Sequence, residues 1–396
     1  MSNRRDEKEE EEKKNIRVAV RVRPLNSREK KQGSCCEIHD HVPKEGEKKR
    51  GTILRVACKT SSRQRSSIPK TPKKALKHPL LGKRMGPLKI STPGASKFKR
   101  FEFDFLFGPN STNEEIFNDV VMDGVNHFLK GINATVMAYG QTSSGKTFTM
   151  TGDQRSPGVV PLATRAVFEH VKKKSEEVEF FLRVTMCEVY NEQVRDLLRS
   201  NKDNTGPGLK VKRDGEVAGL KSTIVKDPKE VFQLIERGQL NRTSGNTNLN
   251  SHSSRSHSIF RLHLESRPRR FEDMEEDEFS DEMDDDDDEV TVSVLTLVDL
   301  AGSERAKETG AKGKRFQEGN NINKSLMTLR RTIKLLNERK THIPFRDSLL
   351  TKILQPSLGG NARRSCLFVF LYYSLSHYSL KKISQTHFKY VFTLTY

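Results

Sequence analysis

Tryptophan is absent from this 396-residue chain, cysteine occurs five times, and apolar residues make up only 33%. No run approaches the roughly 18–20 apolar residues that a membrane helix needs. The cysteines (Cys35, Cys36, Cys58, Cys187 and Cys366) are odd in number and show no C-x-x-C spacing, which argues against a disulfide framework and against a zinc site. The opening MSNRRDEKEEEEKK lacks the apolar core of a signal peptide. A soluble intracellular chain is therefore expected. Acidic residues are also scarce: 71 Lys and Arg face 52 Asp and Glu, and 14 of those acids crowd into residues 272–289, which hold no base. A remainder so basic suggests a polyanionic partner: nucleic acid, anionic lipid or an acidic protein.

What is present organises the chain. Residues 1–14 read as a charged lead-in and 15–364 as the folded body. Within that body, NIRVAVRVRPLN predicts a buried strand, Ile16 to Val22, stopped by Pro24. Residues 44–100, with 18 Lys/Arg against two acids, predict a mostly disordered basic insertion. FEFDFLF then alternates. Asn113–Lys130 carries the helical stripe Ile116, Phe117, Val120, Val121, Val125 and Phe128. A strand is expected at Ile132–Tyr139, then a Gly-rich turn and a helix entering at Lys146. The strand Phe180–Tyr190 is expected to lead into a short helix, NEQVRDLL. Strands at Ile259–Glu265 and Val290–Val298 flank an acidic loop, 266–289. Ile322, Leu326, Leu329, Ile333 and Leu336 mark one face of a helix over Asn321–Arg339. Alternating helices and near-continuous apolar strands give an α/β fold of P-loop type, with a central, mostly parallel or mixed sheet flanked by helices.

The chemistry centres on Gly140-Gln141-Thr142-Ser143-Ser144-Gly145-Lys146-Thr147, a G-x-x-x-x-G-K-[ST] run between a strand and a helix. Glycines let backbone N–H groups curl around phosphate oxygens. The Lys146 ammonium reaches the outer phosphates, and Thr147 offers a hydroxyl to Mg²⁺. Asp299, ending an apolar strand, stands where a carboxylate can hold the Mg²⁺ shell, and Gly302 lets a backbone N–H approach the γ-phosphate as a hinge. Asn250–His257 (NSHSSRSH) packs hydroxyls around Arg255, which is expected to close the site by pairing with Glu304. Read alone, that stretch is better taken as a Ser-rich loop, and only its context points to the site.

The ordered set RVRP (21–24), GQTSSGKT (140–147), NSHSSRSH (250–257), DLAGSER (299–305), NINKSL (321–326) and LGGN (358–361) resembles a kinesin motor domain. GVVPLA, INKSLMTL and LESR lean toward the mitotic, centromere-associated branch. The resemblance implies ATP with Mg²⁺ and a microtubule track, with cytoskeletal localisation. It places Arg21, Arg23 and Pro24 at the adenine edge with Phe148 stacking on the base. Ser253, Ser254 and Arg255 become switch I, with Ser254 also beside the metal, and Asp299, Gly302 and Glu304 become switch II. Glu304 and Ser254 would relay the attacking water's proton. Track contacts would come from Lys324, Arg346, Lys352 and neighbouring basic residues. A membrane partner is not expected, and nucleic acid is disfavoured because aromatic interleaving is missing from the basic stretches.

Three departures stand out. Arg330-Arg331 replaces a Gly and an apolar residue usual in such domains, and Leu349 stands where Lys is usual. After Asn361, LFVFLYY (367–373) supplies a strand, but residues 365–396 lack the family's final helix and neck linker. A nucleotide-holding, non-motile microtubule-binding relative is the alternative this raises.

Overall fold

The computed structural model describes residues 16–24, 27, 36–39, 52–57, 98–200, 206–244, 252–269, 290–304, 313–358 and 366–373. Strand β6 (Ala134–Gly140) is buried at every position but Tyr139. A parallel strand covered on both faces must be apolar throughout, and this one lies mid-sheet. Both its neighbours, β11 (Thr291–Asp299) and β12 (Cys366–Tyr373), run parallel to it. Beyond β12 come β1 (Ile16–Val22) and then β5 (Phe105–Phe107), again parallel. On the other side the direction alternates through β10 (His257–Pro268), β7 (Val178–Tyr190) and β8 (Gln193–Asp196), while β9 (Thr223–Ile224) also pairs with β7. The result is a nine-stranded mixed sheet. A separate three-stranded antiparallel sheet joins β2 (Cys36–His39), β3 (Thr52–Ala57) and β4 (Phe98–Phe103).

Two apolar cores form, one against each face of the main sheet. The first gathers Ile116, Val120, Phe128, Val136, Val167, Val231 and Leu295 under α1 (Asn113–Ile116), α2 (Met122–Leu129), α4 (Val159–Lys174) and α5 (Pro228–Ser244). A π-helical turn, Phe117–Val121, joins α1 to α2, so the expected helical stripe is continuous. Thr112 and Glu115 cap its start reciprocally. The second core sets Val20, Met137, Val298, Leu326, Leu329 and Ile353 under α6 (Lys314–Asn337) and α7 (Leu349–Leu358). Each such side chain fully buried contributes about 1.5–3 kcal/mol. The short α3 (Lys146–Met150) follows β6 directly.

The structure corrects several expectations. NEQVRDLL does not form a helix. Asn191 and Glu192 take φ of 50° and 55°, a two-residue turn that returns the chain as β8. Two successive positive φ values match the twist of an antiparallel pair, and this outweighs the helical propensity of the residues that follow. Neighbours hold the turn, because Asn321 Nδ2 donates to Asn191 Oδ1 at 2.6 Å and Leu349 N–H donates to Glu192 Oε2 at 3.2 Å. Within the stretch expected to be a mostly disordered basic insertion, 52–57 and 98–100 are strand, and residues 44–51 and 58–97 lie outside the described residues. Likewise β10 runs to Pro268, past the expected start of the acidic loop, of which 270–289 lie outside the described residues. Helix α6 starts seven residues before the predicted Asn321. The expected strand at 367–373 is present, and residues 374–396 lie outside the described residues.

Candidate functional site

Parallel β6 and β11 deliver their C-terminal ends side by side, with Asp299 in register with Ala138. In sheets of this kind ligands bind beyond the carboxyl ends of the strands, and the Gly-rich loop leaves β6 there. Ser143 (φ 62°) and Gly145 (φ 102°) adopt left-handed backbone, which curls the loop before α3 starts. Lys146 is buried, and its Nζ donates back to the carbonyls of Gly140 (2.9 Å) and Gln141 (2.8 Å). Burial lowers its pKa, while Asp299 and Glu304 pull the other way. Thr147 Oγ1 donates to Asp299 Oδ2 at 2.7 Å. Asp299 Oδ1 is buried and has no hydrogen-bond partner among the described residues, as does Ser144 Oγ. An orphaned carboxylate oxygen beside an exposed Thr hydroxyl fits a divalent cation, so the donor set suits Mg²⁺.

The segment from Asp299 to Glu304 runs along the loop. Leu300 N–H donates to Ala138 O at 3.2 Å and Ser303 N–H to Gly140 O at 3.1 Å. Gly302 approaches so closely that a Cβ there would lie 2.4 Å from the Glu304 carboxylate oxygens and from Thr142 Oγ1. Its N–H, expected to face a phosphate, donates to Ser254 O at 2.8 Å and so ties the two switches together. Glu304 receives Thr142 N–H at 2.9 Å and the Thr142 hydroxyl as well.

The expected Arg255–Glu304 pair is therefore not formed. Arg255 Nη1 donates instead to Glu318 Oε2 on α6, at 3.0 Å. The acid that meets Arg255 is set by tertiary contact with α6, which the spacing of the sequence does not encode.

Four residues of the site were missed. Arg242, at the end of α5, is buried and forms an ion pair with Asp299 Oδ2 at 2.9 Å. It also donates to Ser256 Oγ (3.1 Å), Ser253 O (3.1 Å) and Ser256 O (2.9 Å), so one guanidinium ties the 253–256 segment to Asp299. Nothing in QLNRTSG signals this. Fully buried His257 accepts the Ala301 N–H on Nδ1 at 3.0 Å, which leaves its Nε2–H for Ser325 Oγ at 2.8 Å. Burial, then Arg242 and Lys146, hold its pKa down at about 3, so the ring is neutral. Buried Asn113 accepts from Arg21 Nη1 at 2.5 Å and donates to Phe148 O at 3.2 Å. Glu318 is the fourth.

Arg21 is itself buried and also donates to Ser111 O at 2.9 Å and to the Thr149 hydroxyl, with its guanidinium 5.5 Å above the Phe148 ring. Arg23 donates to Pro24 O at 2.8 Å. The structure thus brings Arg21 beside α3, where the half-open Phe148 ring (42% exposed) sits. Lys324 and Arg346 are exposed, whereas Lys352 is half-buried with Nζ on Val211 O at 2.7 Å.

The sequence matches the kinesin motor domain family over residues 21–385. It is 46% identical over 278 residues to the kinesin-like protein KIN-7L of Oryza sativa subsp. japonica, spanning 69% of this chain and 41% of that protein. With the kinesin-like protein KIN-7N of Arabidopsis thaliana it shares 47% over 264 residues, 66% of this chain and 30% of the relative. The chain therefore covers less than half the length of either plant protein. Among solved structures it is similar to the C-terminal motor and motor homology domain of Kar3Vik1 fused to a synthetic heterodimeric coiled coil, with a TM-score of 0.72, 27% identity and coverage of 98% of this chain and 86% of that one. The family match, the identity with the plant proteins and the likeness to a solved motor structure agree that the chain belongs to the kinesin motor domain family.

Proposed function

We propose that this domain hydrolyses ATP and couples the cycle to microtubules, as the motor unit of a kinesin-like protein. The observation that carries this reading is the convergence of Lys146, Thr147 and Asp299 at the ends of β6 and β11, with Glu304 and Arg255 poised around them. Lys146 would exchange the two loop carbonyls for phosphate oxygens. Loop N–H groups from Thr142 to Thr147 would line the phosphates, with Gly140 and Gly145 giving room. Mg²⁺, when bound, would neutralise phosphate charge; Thr147 and Asp299 are the residues to hold its shell, with Ser254 nearby. Glu304 and Ser254 would orient water and accept its proton once Glu304 leaves Thr142. Catalysis of this kind is positioning and charge stabilisation.

For the track, α6 offers exposed Lys324, Met327 (72% exposed) and Arg331, and the following turn offers Arg346. An apolar contact set among cations suits an acidic protein surface. Arg331 approaches Asp347 only at 3.9 Å and both are exposed, so that pair contributes little. The test is phosphate release with and without microtubules, beside Lys146→Ala. Strong stimulation that disappears in the variant is expected; equal rates with and without microtubules would refute the coupling.

A further inference from the structure

Asn113 opens α1 and is completely buried, yet its polar atoms serve other elements. Its Oδ1 accepts from Arg21 Nη1, at the end of β1, at 2.5 Å. Its Nδ2 donates to Phe148 O on α3 at 3.2 Å, and lies 3.4 Å from both Ser156 O and Ser156 Oγ in the turn before α4. Phe148 follows Lys146 by two residues and keeps an open ring, and an aromatic face of that kind is what a base needs for stacking. Resting on the motor reading above, we propose that Asn113 is a positioning residue for the nucleotide base: it holds Arg21 and the Phe148 backbone so that the Phe148 ring forms a fixed stacking platform.

The platform needs such a brace because α3 cannot hold the ring unaided. Five residues form too few internal hydrogen bonds to fix a helix. Two polar contacts reach it from outside, Asn113 on Phe148 O and Arg21 on the Thr149 hydroxyl. Arg21 is the second half of the clamp. Its guanidinium bonds Asn113, Thr149 and Ser111 O, and lies 5.5 Å from the centre of the Phe148 ring, a cation–π distance. Bonded inside the fold in this way, Arg21 acts on the base through the ring. The turn that carries Ser156 is itself pinned, since Asp153 Oδ1 accepts the N–H groups of Arg155 (2.9 Å) and Ser156 (2.8 Å), and Asp153 N–H donates to Ser156 O at 3.0 Å. Asn113 therefore braces α3 between two stiff anchors, the end of β1 and this turn. A buried amide that served only its own helix would bond that helix, whereas Arg21, Phe148 and Ser156 all lie outside α1.

The experiment measures phosphate release by the full chain against ATP concentration for the wild type, Asn113→Ala, Asn113→Asp, Phe148→Ala and the double variant Asn113→Ala/Phe148→Ala. Losing the stacked base weakens ATP binding, so KM should rise about five-fold or more in Asn113→Ala and in Phe148→Ala. Turnover at saturating ATP should stay within about two-fold, because the phosphate end is untouched. Asp keeps an oxygen for Arg21 but loses the N–H for Phe148, so its KM should lie between those of wild type and Ala. Because Asn113 acts through the ring, the double variant should match the KM of Phe148→Ala within about two-fold, whereas independent effects would multiply. A purely structural role lowers the folded fraction, and with it kcat, at unchanged KM. Folded Asn113→Ala with unchanged KM, or multiplied effects in the double variant, overturns the proposal. If the Ala variant does not fold, Asn113→Asp decides: a raised KM supports the platform and an unchanged one overturns it. A wild type that releases no phosphate from ATP overturns the motor reading and the platform with it. An active wild type beside Asn113 variants of unaltered KM removes the platform alone.

Discussion

His257 shows how much one buried ring can organise. It joins the start of β10 to Ala301 beyond β11 and to Ser325 on α6, and it can do so only when neutral, because Nδ1 must accept. Its pKa is lowered to about 3, and that of His263, beside Thr185, to about 4, in both cases chiefly by burial. Below the ordinary value of 6.5 the unfolded chain takes up protons that the folded chain refuses. The stabilisation is thus complete above pH 6.5 and declines as pH falls toward 4, by about 1.4 kcal/mol per unit for each ring. Denaturant titrations from pH 7 to 4 should show this slope, and His263→Gln should reduce it by one proton. Gly302 gives a second test at this scale. Its missing Cβ leaves room for the Glu304–Thr142 clamp, so Gly302→Ala should expel that carboxylate from Thr142, the step that frees Glu304 in the proposed cycle, and raise microtubule-free turnover with little loss of stability. A folded variant with unchanged or lower microtubule-free turnover would refute the steric reading.

At the scale of elements, the end of α5 is joined to the ends of β10 and β11 by Arg242. Its partner Asp299 is equally buried, so truncation leaves an unpaired charge and not a cavity alone. Arg242→Ala is expected to cost about 3–5 kcal/mol in urea unfolding, and to loosen both switches together. A loss below about 1 kcal/mol would mean that the pair is not desolvated in solution. The β7–β8 hairpin belongs to this scale too. Its Asn191-Glu192 turn touches both α6 and α7, which places the tip of the sheet against these two helices.

Across the whole molecule, the position of β12 has the largest consequence. The last described strand is inserted between β1 and β6, with Val369 in register with Val18 on one side and Met137 on the other. The sheet is thus closed by residues more than 340 positions from β1, a long-range pairing that slows folding. Val369→Pro removes a ladder donor mid-strand, which a central strand does not tolerate, and should lower the thermal midpoint of the whole domain in one transition. Separate melting of β1 and β5 would instead show that the two halves of the sheet are independent.

The chain alone determined the parts whose signal is local. The apolar runs of β1, β6, β10 and β11, the stripe of α1 and α2, and the phosphate loop with Lys146 and Thr147 are written in spacing and residue type. Backbone geometry over a few residues suffices to produce them. The β7–β8 hairpin escaped because QVRDLL is a good helix former, and the turn before it is stabilised by Asn321 and Leu349, which lie more than 120 residues away. Arg242, Glu318 and the exchange of Arg255's partner escaped for the same reason. Which of several acids meets an arginine is settled by how β6, β11, α5 and α6 pack, and in a desolvated site a shift of a few ångströms changes the electrostatic preference. Sequence supplied the charges, and packing chose the pairs.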